Sequence, residues 1–286
     1  MIQDIYPSRL DNAFRPVQPE ENDRLLIFDR DGRLLVKEDH GRMVYASGCD
    51  AVKSEAVYLF SIDEARYFLL AEDERPEDDH PGLSAACRQK GFDYYTIREI
   101  RDRFCGESLA DVFAAFTAYH LWKWYADNRY CGKCGGLLER SGRERALVCP
   151  ECRNTIYPRI NPAVIVGVTK GDSLLLTKYR SGYGHNALVA GFTEIGETLE
   201  ETVAREVMEE TGVKVRNIRY YKSQPWGMAQ DLLVGFFCDA DGDAEIHMDE
   251  TELKYAEWVR REDIVLQPNN LSLTNEMMKM FRDHQI

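Results

Sequence analysis

Long apolar runs are missing from this sequence. No stretch approaches the ~20 apolar residues a membrane-spanning helix requires, and the opening MIQDIYPSRL lacks the apolar core of an export signal. The expectation is a soluble cytoplasmic protein. A surplus of positive charge is also missing. The 36 Lys and Arg stand against 49 Asp and Glu, a formal net charge of -13, which argues against a protein whose main task is to grip nucleic acid through its phosphates. Neither an internal repeat nor a low-complexity tract is found. Eight cysteines in 286 residues without an export signal make a poor disulfide framework. Cys49, Cys87, Cys105 and Cys238 are scattered singly and read as small apolar side chains for burial.

What is present falls into three stretches. LLIF and RLLVK, joined through Asp29-Arg30-Asp31-Gly32, read as paired strands, and AVYLFSI and RYFLLAE read as a second hairpin closed by an acidic, proline-bearing loop from Glu72 to Gly82. Between Glu107 and Asn128 there is neither Pro nor Gly. Leu109, Val112, Phe113, Phe116 and Leu121 recur there at helical spacing, which predicts one long amphipathic helix with an aromatic tail of Tyr119, Trp122, Trp124 and Tyr125. Burial of that tail against a neighbouring domain or a second subunit is the reading preferred to a ligand-stacking platform. Beyond Pro162, AVIVGV and SLLLTKY predict a hairpin about Lys170-Gly171-Asp172. A helix from Leu199 to Thr211 follows, then strands at Ile218–Ser223, Leu232–Cys238 and Tyr255–Val259 and a final helix at Asn275–Asp283. The expected class is α+β, in three domains covering 1–128, 129–158 and 159–286.

The remaining cysteines are organised. Cys131-Gly132-Lys133-Cys134 and Cys149-Pro150-Glu151-Cys152 are two CxxC knuckles whose spacing brings four thiolates around one zinc. Four thiolates leave no open coordination position, so the metal staples a segment with little core of its own and activates no water. This pattern looks like a zinc ribbon. Between Arg129 and Arg180 ten Lys or Arg stand against four acids. That local excess reads either as a field drawing in an anionic substrate or as an ordinary solvated surface.

The chemistry is concentrated in GFTEIGETLEETVAREVMEETGV. On a helix Glu206, Glu209 and Glu210 fall at i, i+3 and i+4 and crowd one face. Hard oxygen ligands gathered in this way suit Mg²⁺ or Mn²⁺, which bridge to phosphate oxygens and offset the charge of a diphosphate. Arg205 reads as a bidentate partner for a carboxylate, with Glu197 orienting the loop before the helix. Gly191 and Gly212 read as tight turns.

The segment from Gly191 to Val213 matches the Nudix box at every specified position, so the chain resembles the Nudix hydrolases. That resemblance implies an α/β/α sandwich with a mixed sheet, preceded here by the ribbon and a small N-terminal α+β domain. It implies metal ligation by Glu206 and Glu210, shared metal or base duty for Glu209, and a backbone carbonyl ligand at Ala190. A later acidic ligand is expected too, for which Glu252 is the candidate. With the ribbon, YPRINPAVIV and Ser223-Gln224-Pro225-Trp226, the similarity narrows to the NADH pyrophosphatase branch. It implies hydrolysis of NAD(H) to NMN(H) and AMP, removal of NAD caps from RNA, and a homodimer. Tyr157 and Phe192 match aromatic positions that the resemblance implies contact the dinucleotide, and Asp231 stands at a position implied to make a polar contact to it. Gln224 reads as a polar residue in a strand-end loop placed to hydrogen-bond a base edge, and Trp226 reads equally as a substrate contact or as core packing. The branch array SQPWPFPxS reads SQPWGMAQD here, so Gly227, Met228 and Ala229 replace Pro-Phe-Pro and Asp231 replaces a serine, which suggests a looser loop. Two alternatives stay open: a broader hydrolase of ADP-ribose, FAD, dinucleoside polyphosphates or capped RNA, and a non-catalytic nucleotide sensor.

Overall fold

A computed structural model describes residues 1–47, 56–71, 87–88, 90–180 and 184–286. The acidic loop expected from Glu72 to Gly82, and Cys49, lie outside the described residues. The chain divides into two compact units: Met1–Gln3, Ile160–Trp226 and Gln230–Ile286 form one, and Asp4–Arg159 with Gly227–Ala229 form the other. Among the described residues no helix is long and apolar enough to cross a membrane.

The unit containing Asp4–Arg159 is built on a seven-stranded sheet. Its strands are β1 (Leu10–Asp11), β2 (Arg24–Phe28), β3 (Leu34–Asp39), β4 (Arg42–Ser47), β5 (Val57–Ile62), β6 (Ala65–Ala71) and β7 (Asp93–Tyr95), in the order β1-β5-β6-β2-β4-β3-β7. The predicted pairing of LLIF with RLLVK is reduced to one rung, Phe28 with Leu34. The cause is local. The Asp29 carboxylate accepts hydrogen bonds from the backbone N–H groups of Asp31 and Arg33, which folds the connection into its own loop. β2 instead runs parallel to β6 over five residues and antiparallel to β4.

Helices α1 (Ile97–Phe104) and α2 (Leu109–Asp127) follow. α2 departs from the amphipathic expectation, because Val112, Phe113, Ala114, Ala115 and Phe116 are all buried, and five consecutive residues face every side of a helix. Two bodies cover it within the unit. Tyr119 and Trp122 pack on Phe28 of the sheet, the Trp122 ring stacked 5.1 Å away. Trp124 and Tyr125 pack with Leu138, Leu147 and Ile156 of the cysteine-bearing segment. That segment contributes only the two-residue strands β8 (Glu139–Arg140), β9 (Leu147–Val148) and β10 (Thr155–Ile156). Of the singly placed cysteines, Cys87 and Cys238 are buried, and Cys105, at the end of α1, is half-buried.

In the other unit β11 (Asn161–Lys170), β12 (Ser173–Tyr179), β13 (Val189–Phe192), β14 (Val215–Trp226), β15 (Asp231–Ala240) and β16 (Leu253–Arg260) form one mixed sheet, ordered β14-β15-β11-β12-β16 with β13 on β11. β11 and β15 are parallel and the other pairs antiparallel. Helix α3 (Leu199–Thr211) covers the face bearing Val164, Val166, Val168, Val234 and Phe236. Helix α4 (Leu273–Arg282) covers Ile165, Leu174, Leu176 and Phe237 on the other. Both faces of β11 are therefore buried, which is why its sequence reads as an unbroken apolar run. The class is α+β, with an α/β/α sandwich in this unit.

Candidate active site and zinc cluster

Helix α3 starts and stops where its sequence says it should. The Thr198 hydroxyl accepts from the Glu201 N–H, and the Glu201 carboxylate accepts from the Thr198 N–H, a reciprocal cap carried by TLEE. At the other end Gly212 adopts φ 69°, and its N–H donates to the Met208 carbonyl. Val203 and Val207 turn inward, which leaves Glu206 half-buried and Glu209 outward, while Glu210 is buried.

Arg205 organises the acids around it. Its Nε and Nη2 hold the two oxygens of Glu197 at 2.6 and 2.9 Å, the bidentate contact expected of it. Nη1 reaches Glu206 at 2.7 Å and Glu209 at 3.0 Å, and Nη2 also donates to the Phe192 carbonyl at 2.9 Å. Hydrogen bonds from the Arg205 guanidinium hold the Glu197 carboxyl down to about 2, so it stays ionised. The glycine at 191 has a steric reason. A Cβ there would lie 1.9 Å from Cδ of Glu206, and the Arg205 contact holds that carboxylate where it is.

Glu210 is the most perturbed acid. Burial pushes its carboxyl up to about 8; the Tyr179 hydroxyl opposes the rise, and the charges of Glu206 and Glu252 add to it. Burial raises Glu206 as well, with Arg205 acting against the rise and Glu209 and Glu252 adding to it. Glu206 and Glu210 of α3 and Glu252, just before β16, thus repel one another, and Arg205 pairs with Glu206 alone of the three. The Ala190 N–H donates to Glu210, and the Ala190 carbonyl accepts from Tyr179 at 3.4 Å. Hard oxygen donors in this arrangement fit a divalent cation of the Mg²⁺ or Mn²⁺ type, whose charge would remove the repulsion. Tyr179 was missed by the sequence reading; it lies outside the glutamate motif and carries no spacing signal.

The other expected site residues fall in both units. Phe192, at the end of β13, is 54% exposed, and Tyr157, in the other unit, is 56% exposed with its hydroxyl donating to Glu144. Trp226 is half-buried at the end of β14, paired in register with Asp231. Asp231 is buried, its Oδ1 has no hydrogen-bond partner, and burial pushes its carboxyl up to about 6 against a contact from Asn161. Gln224 departs from the expectation of a loop residue free to meet a base. It lies inside β14, fully buried. Its amide nitrogen donates to Gln3 Oε1 and the Leu271 carbonyl, and its oxygen accepts from the Leu273 N–H. Those bonds fasten the chain start and the approach to α4, so the side chain is committed to the fold.

The loop after Trp226 also differs from its expected looseness. Gly227 lies against α2, and a Cβ at 227 would fall 2.0 Å from the Phe116 carbonyl oxygen. Close packing takes the place of proline stiffness, and a proline carries the same Cβ. Gly227→Ala is therefore expected to destabilise the protein by about 1–3 kcal/mol through overpacking, read as a lower denaturant midpoint in equilibrium unfolding. An unchanged midpoint would show that this contact is not fixed.

The cysteine quartet is assembled in the other unit. The ligand sulfurs of Cys131, Cys134, Cys149 and Cys152 all lie within 4.8 Å of one another. The Lys133 N–H, donating to Cys131 Sγ at 3.4 Å, holds that thiol down to about 6. Cys134 moves up to about 12: the Gly136 N–H favours its thiolate, but the sulfurs of Cys149 and Cys152 outweigh it. Four soft donors closing on one point fit zinc and leave no position for water.

Sandwich, glutamate-bearing helix and capped loop together define a Nudix hydrolase, and residues 159–281 match the NUDIX domain family. Residues 126–157 match the NADH pyrophosphatase zinc ribbon domain. An NAD-capped RNA hydrolase NudC from Shigella dysenteriae is 40% identical over 182 residues, which cover 63% of this chain and 69% of the relative. Its counterpart from Enterobacter sp. is 45% identical over 177 residues, covering 62% and 67%. A crystal structure of a NUDIX hydrolase from Nitrosomonas europaea aligns with a TM-score of 0.49 at 22% identity, over 55% of this chain and 92% of that one. The chain belongs to the zinc-ribbon Nudix family that includes these NudC proteins.

Proposed function

We propose that the protein hydrolyses the diphosphate bond of NADH or NAD, releasing NMNH or NMN and AMP, and that it removes NAD caps from RNA by the same cut. The observation that carries this reading is the shared neighbourhood of Glu206, Glu210 and Glu252 beside Ala190, in a chain whose relatives are named NAD-capped RNA hydrolases. Mg²⁺ or Mn²⁺ bound there would offset the diphosphate charge and lower the pKa of an attacking water. In this reading Glu206, Glu210, Glu252 and the Ala190 carbonyl would hold the cation. Glu209, exposed at the edge of the cluster, shares metal or base duty, and Arg205 keeps Glu206 and Glu209 in place. Water adds to one phosphorus and gives up a proton to the base, the bond from that phosphorus to the bridging oxygen breaks, and the oxygen leaves with the other nucleotide as part of its phosphate. Phe192, Tyr157, Trp226 and Asp231 remain the proposed substrate contacts; Gln224 is not among them. Domain limits of 1–128, 129–158 and 159–286, a cytoplasmic location and a homodimeric assembly belong to the same proposal.

A broader nucleoside-diphosphate hydrolase is the second reading, favoured by the replacement of Pro-Phe-Pro at 227–229 and of serine by the buried Asp231. Incubating the protein with Mn²⁺ and NADH, ADP-ribose, FAD or diadenosine polyphosphate separates the two. AMP and NMNH released fastest from NADH are expected. No AMP from NADH while another dinucleotide is cut would remove the substrate claim.

A further inference from the structure

The end of β12 touches the glutamate cluster at three points. The Tyr179 hydroxyl lies 3.1 and 3.3 Å from the two Glu210 oxygens and 3.4 Å from the Ala190 carbonyl. The next residue, Arg180, donates its backbone N–H to the Glu252 carbonyl at 3.0 Å. A slip in register makes this possible. Lys178 pairs with Tyr255 but Tyr179 with Leu253, so the strand bends where it meets the cluster. A phenol has one proton to donate, and here three acceptors lie within reach of it.

We propose that Tyr179 is a positioning residue that presents Glu210 and the Ala190 carbonyl to the catalytic cation. The inference rests on the reading of those two groups as ligands. Were Glu210 and the Ala190 carbonyl to bind a cation, the Tyr179 hydroxyl, which already reaches both Glu210 oxygens, would hold the carboxylate in one orientation. Partners of ligands act in this way at many metal sites, and their loss costs about 10–100-fold in metal affinity.

The test is direct Mn²⁺ binding to zinc-replete protein without substrate, read from the electron paramagnetic resonance signal of free Mn²⁺. Tyr179→Phe, Tyr179→His and Glu210→Gln are compared with the parent. Tyr179→Phe is expected to raise the Mn²⁺ Kd about tenfold and to raise the Mn²⁺ concentration for half-maximal NADH hydrolysis in parallel. Its kcat at saturating Mn²⁺ should stay close to the parent value, and Tyr179→His, which restores a donor, should recover part of the affinity. A parental Kd in Tyr179→Phe while Glu210→Gln loses Mn²⁺ would overturn the role of Tyr179 and leave the ligand reading standing. A parental Kd in Glu210→Gln would overturn the ligand reading itself, and this inference with it.

Discussion

Glu206→Gln is expected to lower kcat/KM for NADH by about 100-fold or more, at least the loss seen when a metal ligand's own partner is removed, while leaving the fold in place. The amide keeps the shape of the carboxylate, so the space above Gly191 stays filled and the Arg205 contact to Glu197 survives. What is lost is one negative charge in the cluster with Glu210 and Glu252. Burial penalises the ionised form of Glu206, so its removal should leave stability unchanged or slightly raised. That combination separates a chemical role from a structural one. AMP release at saturating Mn²⁺ and a thermal unfolding curve check it together. Turnover within tenfold of the parent would place the chemistry on other residues.

The sequence was legible where function is local. Three acids at helical spacing on a capped helix, and four cysteines in two knuckles, are short-range patterns; the four sulfurs close to within 4.8 Å of one another, while of the three acids Glu209 turns outward and Glu210 inward. The two faces of the sandwich were legible for the same reason, since an unbroken apolar run between turn signals leaves a strand nowhere to go but the interior. Contacts formed across long separations were not legible. Tyr179 meets Glu210 from 31 residues away, and nothing in SLLLTKY marks its last residue as a partner of the cluster. Gln224 stood in a motif implied to meet substrate, but its partners Gln3 and Leu271 lie 221 and 47 residues away. The apolar spacing of helix α2 fits one stripe and reads as one-sided, although Ala114, Ala115 and Ala118 complete the burial on other sides. Small residues carry little hydropathic signal, yet they are what lets a helix be enclosed.

The second large effect should come from the zinc cluster. Cys149→Ser is expected to abolish zinc retention and unfold the segment from about Cys131 to Ile156. Cys149 is fully buried, and the strands around it are two residues long. Too few apolar groups surround it for the segment to hold itself together. The ion is what closes the fold, and structural zinc of this kind contributes roughly 10–16 kcal/mol of apparent binding energy that is also folding energy. Without it, sulfurs within 4.8 Å of one another are left with opposed thiol pKa shifts and no cation between them. Trp124, almost fully buried against this cluster, reports the change. Its fluorescence should shift to the red as water reaches the ring, and a colorimetric chelator assay should find zinc in the parent and none in Cys149→Ser. Cys105→Ser, in a half-buried thiol outside the quartet, should retain its zinc and the parental emission. Zinc retained in Cys149→Ser, or lost equally from both variants, would contradict a four-thiolate site built from Cys131, Cys134, Cys149 and Cys152.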